Sequence, residues 1–120
     1  MDDQELLDFV GNLWDKDILP ALQEYIRIPN VSPVFEEDWA ELGHMEKVID
    51  LLCEWSKARP IEGLTLDVHR IEGKTPVIFM EIPAANGGSD DDPILLYGHC
   101  DVQPPFTGWR EGLAPWEPRD

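Results

Sequence analysis

The side chains best spaced to do chemistry lie in the segment Leu95-Leu96-Tyr97-Gly98-His99-Cys100-Asp101-Val102-Gln103-Pro104. An apolar run ends, a glycine permits a turn, and a histidine and an aspartate follow at i and i+2. In extended backbone those two positions point to the same side, so His99 and Asp101 share a face and Cys100 takes the other. A neutral imidazole is a common ligand for zinc and its neighbours in the series. Such a histidine gives its second ring N–H to a carboxylate, which fixes the ring and raises its basicity. Asp101 is spaced for that role. His-x-Asp is a short pattern, however, and taken alone it reads more readily as structural. Its place just past a predicted strand, where open α/β sheets bind ligands, brings the structural and metal-binding readings level.

The other candidates read as parts of the scaffold. His44, near the start of a predicted helix, and His69, on the polar face of a predicted strand, are expected to be surface or hydrogen-bonded histidines. Cys53 falls in a helical stripe of large apolar residues and is expected to be a small buried filler. Asp90-Asp91-Asp92 lacks the alternating oxygen ligands and closing glutamate of a calcium loop and reads as a solvated loop. Glu36-Glu37-Asp38 reads as the charged start of a helix, because acidic groups favour a helix amino terminus. Trp109 and Trp116 either cover the start of a further segment or pack back onto the sheet, with packing favoured, since two exposed indoles are unusual in a monomer.

The elements that position these residues follow from hydrophobic periodicity. Leu6, Leu7, Val10, Leu13 and Trp14 line one face of a 3.6-residue period. Asp15-Lys16-Asp17 interrupts that run, and Asp17 is expected to cap a second helix carrying Leu19, Leu22, Tyr25 and Ile26. Pro20 is tolerated in a first turn. The pattern therefore predicts two short helices or one kinked helix. Ile28-Pro29-Asn30-Val31-Ser32-Pro33 reads as a loop. A further helix carries Met45, Val48, Ile49, Leu52 and Trp55, and Pro60 and Gly63 close it. Leu64, Leu66 and Val68 alternate with Thr65, Asp67 and His69 as in a strand, and Glu72-Gly73-Lys74 reads as a turn. Val77-Ile78-Phe79-Met80 and Ile94-Leu95-Leu96-Tyr97 are continuous apolar runs, read as strands buried on both faces. Past Tyr97 the density of proline and glycine predicts an extended loop. Helices first and buried strands after argue an α/β layer domain, yet three strands with so few helices look like an unfinished one.

Composition narrows the class. The 120 residues are 42% apolar and 28% charged, near the globular average. A formal charge of −16, from 25 acidic and 9 basic residues, repels phosphate backbones and anionic lipid, so neither nucleic acid nor a membrane is an expected partner. The acidic start from Met1 to Glu5 does not resemble a signal peptide, and two cysteines fit a reducing compartment, so a cytoplasmic location is expected.

The longer string around His99 closely resembles the metal-site region of the M20 family of metallopeptidases. It runs Leu-Leu-Tyr-Gly-His-Cys-Asp-Val-Gln-Pro-Pro and continues through Gly108-Trp109 and Pro115-Trp116-Glu117-Pro118. Asp-Val-Gln-Pro is similar to the dipeptidase branch that includes carnosinase-like enzymes, as are Gly-His-Met-Glu-Lys at 43–47 and Tyr-Ile-Arg-Ile-Pro at 25–29. The resemblance implies the amino-terminal part of a zinc-exopeptidase-like three-layer domain, with helices first and then buried strands of a mixed sheet, over residues 1–120. It implies that His99 ligates one ion of a two-metal centre, usually zinc. It implies that Asp101 is a catalytic residue behind that ligand, holding the imidazole. Cys100 is expected to face the interior without taking part, and Tyr97 and Val102 to pack the turn.

The family's bridging aspartate, general-base glutamate, remaining ligands and dimerisation domain are expected beyond residue 120. The intact protein is thus expected to be a metal-dependent exopeptidase or amidohydrolase of dipeptides or small N-acyl substrates, homodimeric when full length. One histidine does not hold a catalytic zinc, which takes about three protein ligands, so the isolated chain is expected to be inactive. The alternative from another class is a non-catalytic acidic remnant that acts as a protein-interaction module through an uncovered sheet edge and its tryptophans.

Overall fold

The computed structural model describes residues 2–119. Helix α1 spans Asp3–Leu13 and is closed at its start by Asp2. The Asp2 carboxylate accepts from the Glu5 amide at 2.9 Å, and the Asp2 amide donates to the Glu5 carboxylate at 2.8 Å. This reciprocal pair satisfies two of the amides that a helix start leaves free. A π-helical turn, Trp14–Ile18, then leads without a break into α2, Leu19–Ile26, with Pro20 in its first turn.

The expected interruption at Asp15-Lys16-Asp17 is therefore a wide turn within one continuous helix, and Asp17 caps nothing. Its carboxylate instead accepts from the Trp55 indole at 2.9 Å and from the Arg59 guanidinium, which lies 4.1 Å over the Trp55 ring. The Arg59 hydrogen bond chiefly, with help from Trp55 and against partial burial, holds the Asp17 carboxyl below its ordinary 3.8. This cluster fastens the first helical arm to α4.

Helix α3, Trp39–Leu42, begins directly after Glu36-Glu37-Asp38, and α4 spans His44–Lys57. Gly43 joins them at φ +70°, a conformation that L side chains rarely adopt. The apolar stripe of α4 is the core. Met45, Val48, Ile49 and Cys53 are 0–7% exposed. Leu52 and Trp55, expected in the same stripe, are half-buried.

Strands β1, Thr65–His69, and β2, Val77–Glu81, pair antiparallel with Val68 opposite Ile78. Leu66, Val68 and Ile78, together with Trp39, lie against Met45, Ile49 and Cys53. The Arg70 guanidinium grips the Glu46 carboxylate through two hydrogen bonds of 2.5 and 2.7 Å at the loop end of the hairpin. The molecule is a mixed α/β fold in which one small sheet covers one helix. Among the described residues no helix is long and apolar enough to cross a membrane.

Two expected strands differ. Val77-Ile78-Phe79-Met80 forms β2, but only Ile78 is turned inward, and its neighbours are exposed. Ile94-Leu95-Leu96-Tyr97 forms no strand and is 87–91% exposed. A strand buried on both faces needs flanking strands and a layer on each side. Among the described residues, the one sheet has two strands, and the hairpin has helix on one face only. The apolar face of α1 is likewise open, with Leu6, Leu7, Val10 and Trp14 all exposed.

The chain exposes 9858 Å², whereas a compact monomer of its mass exposes roughly 6,600 Å². Its radius of gyration is 17.6 Å, against about 13.6 Å for a compact chain of this length. With so small a core, single substitutions weigh heavily. Ile49→Ala is expected to lower the unfolding free energy by about 3 kcal/mol, read from the urea midpoint. Asp17→Asn is expected to lower that midpoint at neutral pH. Because the folded-state pKa of Asp17 is depressed, its contribution is present above the ordinary carboxyl value and is lost as pH falls through the folded one. The gap between wild type and Asp17→Asn should therefore narrow as pH falls through and below the ordinary carboxyl value.

Candidate functional site

The site is a turn held from behind. Residues 99–102 run beside residues 30–32, with a parallel bridge between Val31 and Val102. The Val102 amide donates to the Asn30 carbonyl at 3.0 Å, and the Ser32 amide donates to the Val102 carbonyl at 2.9 Å. Two residues earlier the Cys100 carbonyl accepts twice, from the Asn30 side-chain amide at 2.8 Å and from the Tyr25 hydroxyl at 3.1 Å. Asn30 is 2% exposed. The segment from Tyr25 to Ser32, expected to be the end of a helix and a plain loop, is thus the floor of the site.

With the Cys100 carbonyl fixed, the side chains alternate as extended backbone requires. Cys100 packs against the α4 core. His99 and Asp101 lie together on the other face, where His99 Nδ1 donates to Asp101 Oδ1 at 2.8 Å. The His99 side chain is 71% exposed and that of Asp101 is 26% exposed. Val102 supports the turn through its bridge to Val31. Tyr97 does not; it is 91% exposed, because the expected strand that would seat it is not formed.

The electrostatics follow from the neighbours. The Ser32 hydroxyl chiefly, then His99, holds the Asp101 carboxyl below its ordinary 3.8, against partial burial. At neutral pH Asp101 is therefore a carboxylate and only accepts hydrogen bonds. His99 Nδ1 must then carry a proton, which leaves Nε2 as the lone-pair nitrogen of the neutral ring. Burial first, and the Asp101 charge second, push the Cys100 thiol up, so it stays protonated and is a poor nucleophile at neutral pH. Tyr25 is raised mainly by burial and keeps its hydroxyl proton for the Cys100 carbonyl.

The remaining candidates stay apart from this turn. Cys53 is buried in the core, as its stripe predicts. His69 is exposed on β1, with its ring 6.0 Å from that of Phe79. His44 is half-buried as the first residue of α4, and its Nδ1 is buried without a hydrogen-bond partner, where a surface or satisfied ring was expected. Asp90 closes its own loop by accepting from the Ala84 amide at 2.7 Å, and Asp91 and Asp92 are exposed. Trp116 is half-buried, while Trp109 is 48% exposed and donates to the Phe106 carbonyl. Among the described residues no three His, Cys, Asp or Glu side chains converge as a metal-holding group.

Sequence periodicity pointed to His99 and Asp101 but not to Tyr25, Asn30 and Ser32. The available signal was the polar pair Asn30 and Ser32, spaced i and i+2 between two prolines. No protein-family model and no curated protein matches the chain.

Ser32→Ala removes the first cause of the low Asp101 pKa. The Asp101 carboxyl, followed by NMR through an acid titration, is expected to titrate below 3.8 in the wild type and to move up towards 3.8 in the variant. The sign is that of a depressed carboxyl: its contribution to stability is present above the ordinary value and is lost as pH falls through the folded one. An unchanged midpoint in Ser32→Ala would remove Ser32 from the site.

Proposed function

We propose that the chain forms the amino-terminal part of the catalytic domain of an M20-type dipeptidase or related metal-dependent exopeptidase. In this reading His99 is a ligand to one metal ion and Asp101 is the carboxylate that holds its imidazole. The observation that carries the reading is the 2.8 Å hydrogen bond from His99 Nδ1 to an ionised Asp101, made by an exposed ring. It occurs within the string of residues that resembles the family's metal-site motif.

The donor chemistry fits zinc. A neutral imidazole whose Nδ1–H is engaged by a carboxylate presents Nε2 in the required form, and the carboxylate raises its basicity. Zinc, when bound, supplies Lewis acidity towards a scissile carbonyl and a water of lowered pKa. This chain's own part is narrower. His99 offers one nitrogen, Asp101 retains the Nδ1 proton, and Ser32 lowers the Asp101 carboxyl further below its ordinary value. The further ligands, the general-base glutamate and the dimerisation domain belong to segments expected beyond residue 120. Dipeptides or small N-acyl compounds as substrates, and a reducing cytoplasmic setting, go with the same reading.

The test uses the three histidines as internal controls. On addition of zinc to the 15N-histidine-labelled chain, the His99 Nε2 signal is expected to move while His44 and His69 stay in place, and His99→Ala should abolish the response. A response at His44 or His69 with none at His99 would falsify the assignment. Binding should be weak and the 120-residue chain should hydrolyse no dipeptide above the buffer rate, because a catalytic zinc takes about three protein ligands. Hydrolysis that a chelator abolishes would overturn this part.

The exposed run Ile94–Tyr97 supports a second reading, a non-catalytic acidic module that binds another protein. Solution size separates the two. A defined monomer or dimer favours the module, whereas a loosely packed or aggregating species favours a segment that needs the rest of its domain.

A further inference from the structure

We propose that Asn30, assisted by Tyr25, is the positioning residue of the His99–Asp101 pair, acting through the Cys100 carbonyl. The inference rests on the reading of His99 as a ligand for its purpose, but not for its geometry. Asn30 is 2% exposed, and it is the one polar residue that is fully buried among the described residues. A buried amide without a task is destabilising, since its desolvation must be offset by hydrogen bonds. The task here is specific. Asn30 Nδ2 donates to the Cys100 carbonyl at 2.8 Å and Tyr25 donates to the same oxygen at 3.1 Å, which uses both of its lone pairs.

That carbonyl belongs to the peptide between Cys100 and Asp101. Once it is held inward, the peptide plane cannot rotate, and the alternation along 99–101 is set. Cys100 goes to the core, and His99 and Asp101 go out together. The Asn30 carbonyl also accepts from the Val102 amide at 3.0 Å, so one residue grips the segment on both sides of Asp101. The Asn30 amide further lies 3.7 Å from Met45 Sδ in the core. Asn30 thereby ties the outward pair to the most buried part of the molecule. Neither donor touches His99, so both act by fixing which nitrogen of the ring carries the proton.

The test reads that proton at a single pH near neutrality, from the 15N shifts of the His99 ring in the 120-residue chain. Wild type should be predominantly Nδ1–H. Asn30→Asp keeps the size of the side chain but replaces the donor with a carboxylate, and should make that tautomer a minority. Tyr25→Phe, which removes one donor only, should reduce it in part. Ile49→Val serves as a control that weakens the core without touching the turn, and should leave the tautomer as in wild type. Unchanged tautomers in Asn30→Asp would overturn the inference, as would an equal change in Ile49→Val, which would mark the effect as general loosening. If Asn30→Asp does not fold, Tyr25→Phe decides, and an unaltered His99 ring in that variant overturns the inference. Zinc added to the wild type keeps the two claims apart. A His99 tautomer that follows Asn30 while zinc leaves His99 untouched supports the positioning role and removes the ligand assignment.

Discussion

Four side chains on one face of α4 exclude water, and the rest of the molecule is arranged around them. Among the described residues, Met45, Val48, Ile49 and Cys53 are the buried apolar ones. The hairpin lies on Met45, Ile49 and Cys53 through Leu66, Val68 and Ile78. The first helical arm reaches the far end of the same helix through Asp17, Trp55 and Arg59. The candidate site touches the core through Cys100, and through the contact of Asn30 with Met45. A core this small stabilises modestly, since burial of a Val or Ile side chain is worth only about 1.5–3 kcal/mol. The polar clusters therefore matter more to the relative placement of elements than they would in a larger domain.

The distribution of exposed apolar surface follows from the same constraint. Among the described residues, one helix covered by one hairpin leaves the second face of the sheet, the apolar face of α1 and the run Ile94–Tyr97 exposed. These residues have the types and spacings of buried elements. Their periodicity describes what they can pack against, and the described fold contains no surface to receive them. The site escapes this incompleteness because it depends on direct pairing between residues 25–32 and 99–102, not on a complete sheet.

Legibility in the sequence was uneven for identifiable reasons. The α4 stripe and the alternation of β1 were readable because each depends on neighbours three, four or two residues away. The shared face of His99 and Asp101 was readable for the same reason. The π-helical turn was not, because Asp17 looks like a cap by type, and its partners Trp55 and Arg59 are about forty residues distant. The continuous apolar runs were misread as doubly buried strands, because a run of apolar residues reports capacity for burial and not the presence of flanking layers.

What the sequence determined by itself is local: helix and strand periodicity, the acidic surface charge, and a histidine and an aspartate at a spacing that puts them side by side. Tertiary structure alone decided which peptide plane lies between them and how it is held. Tyr25, Asn30 and Ser32 sit some seventy residues before the turn they support. Nothing in a local pattern marks a buried amide as the partner of a distant carbonyl. That pairing exists because a polar group taken out of water must find another polar group, and here the fold brings the Asn30 amide to the Cys100 carbonyl.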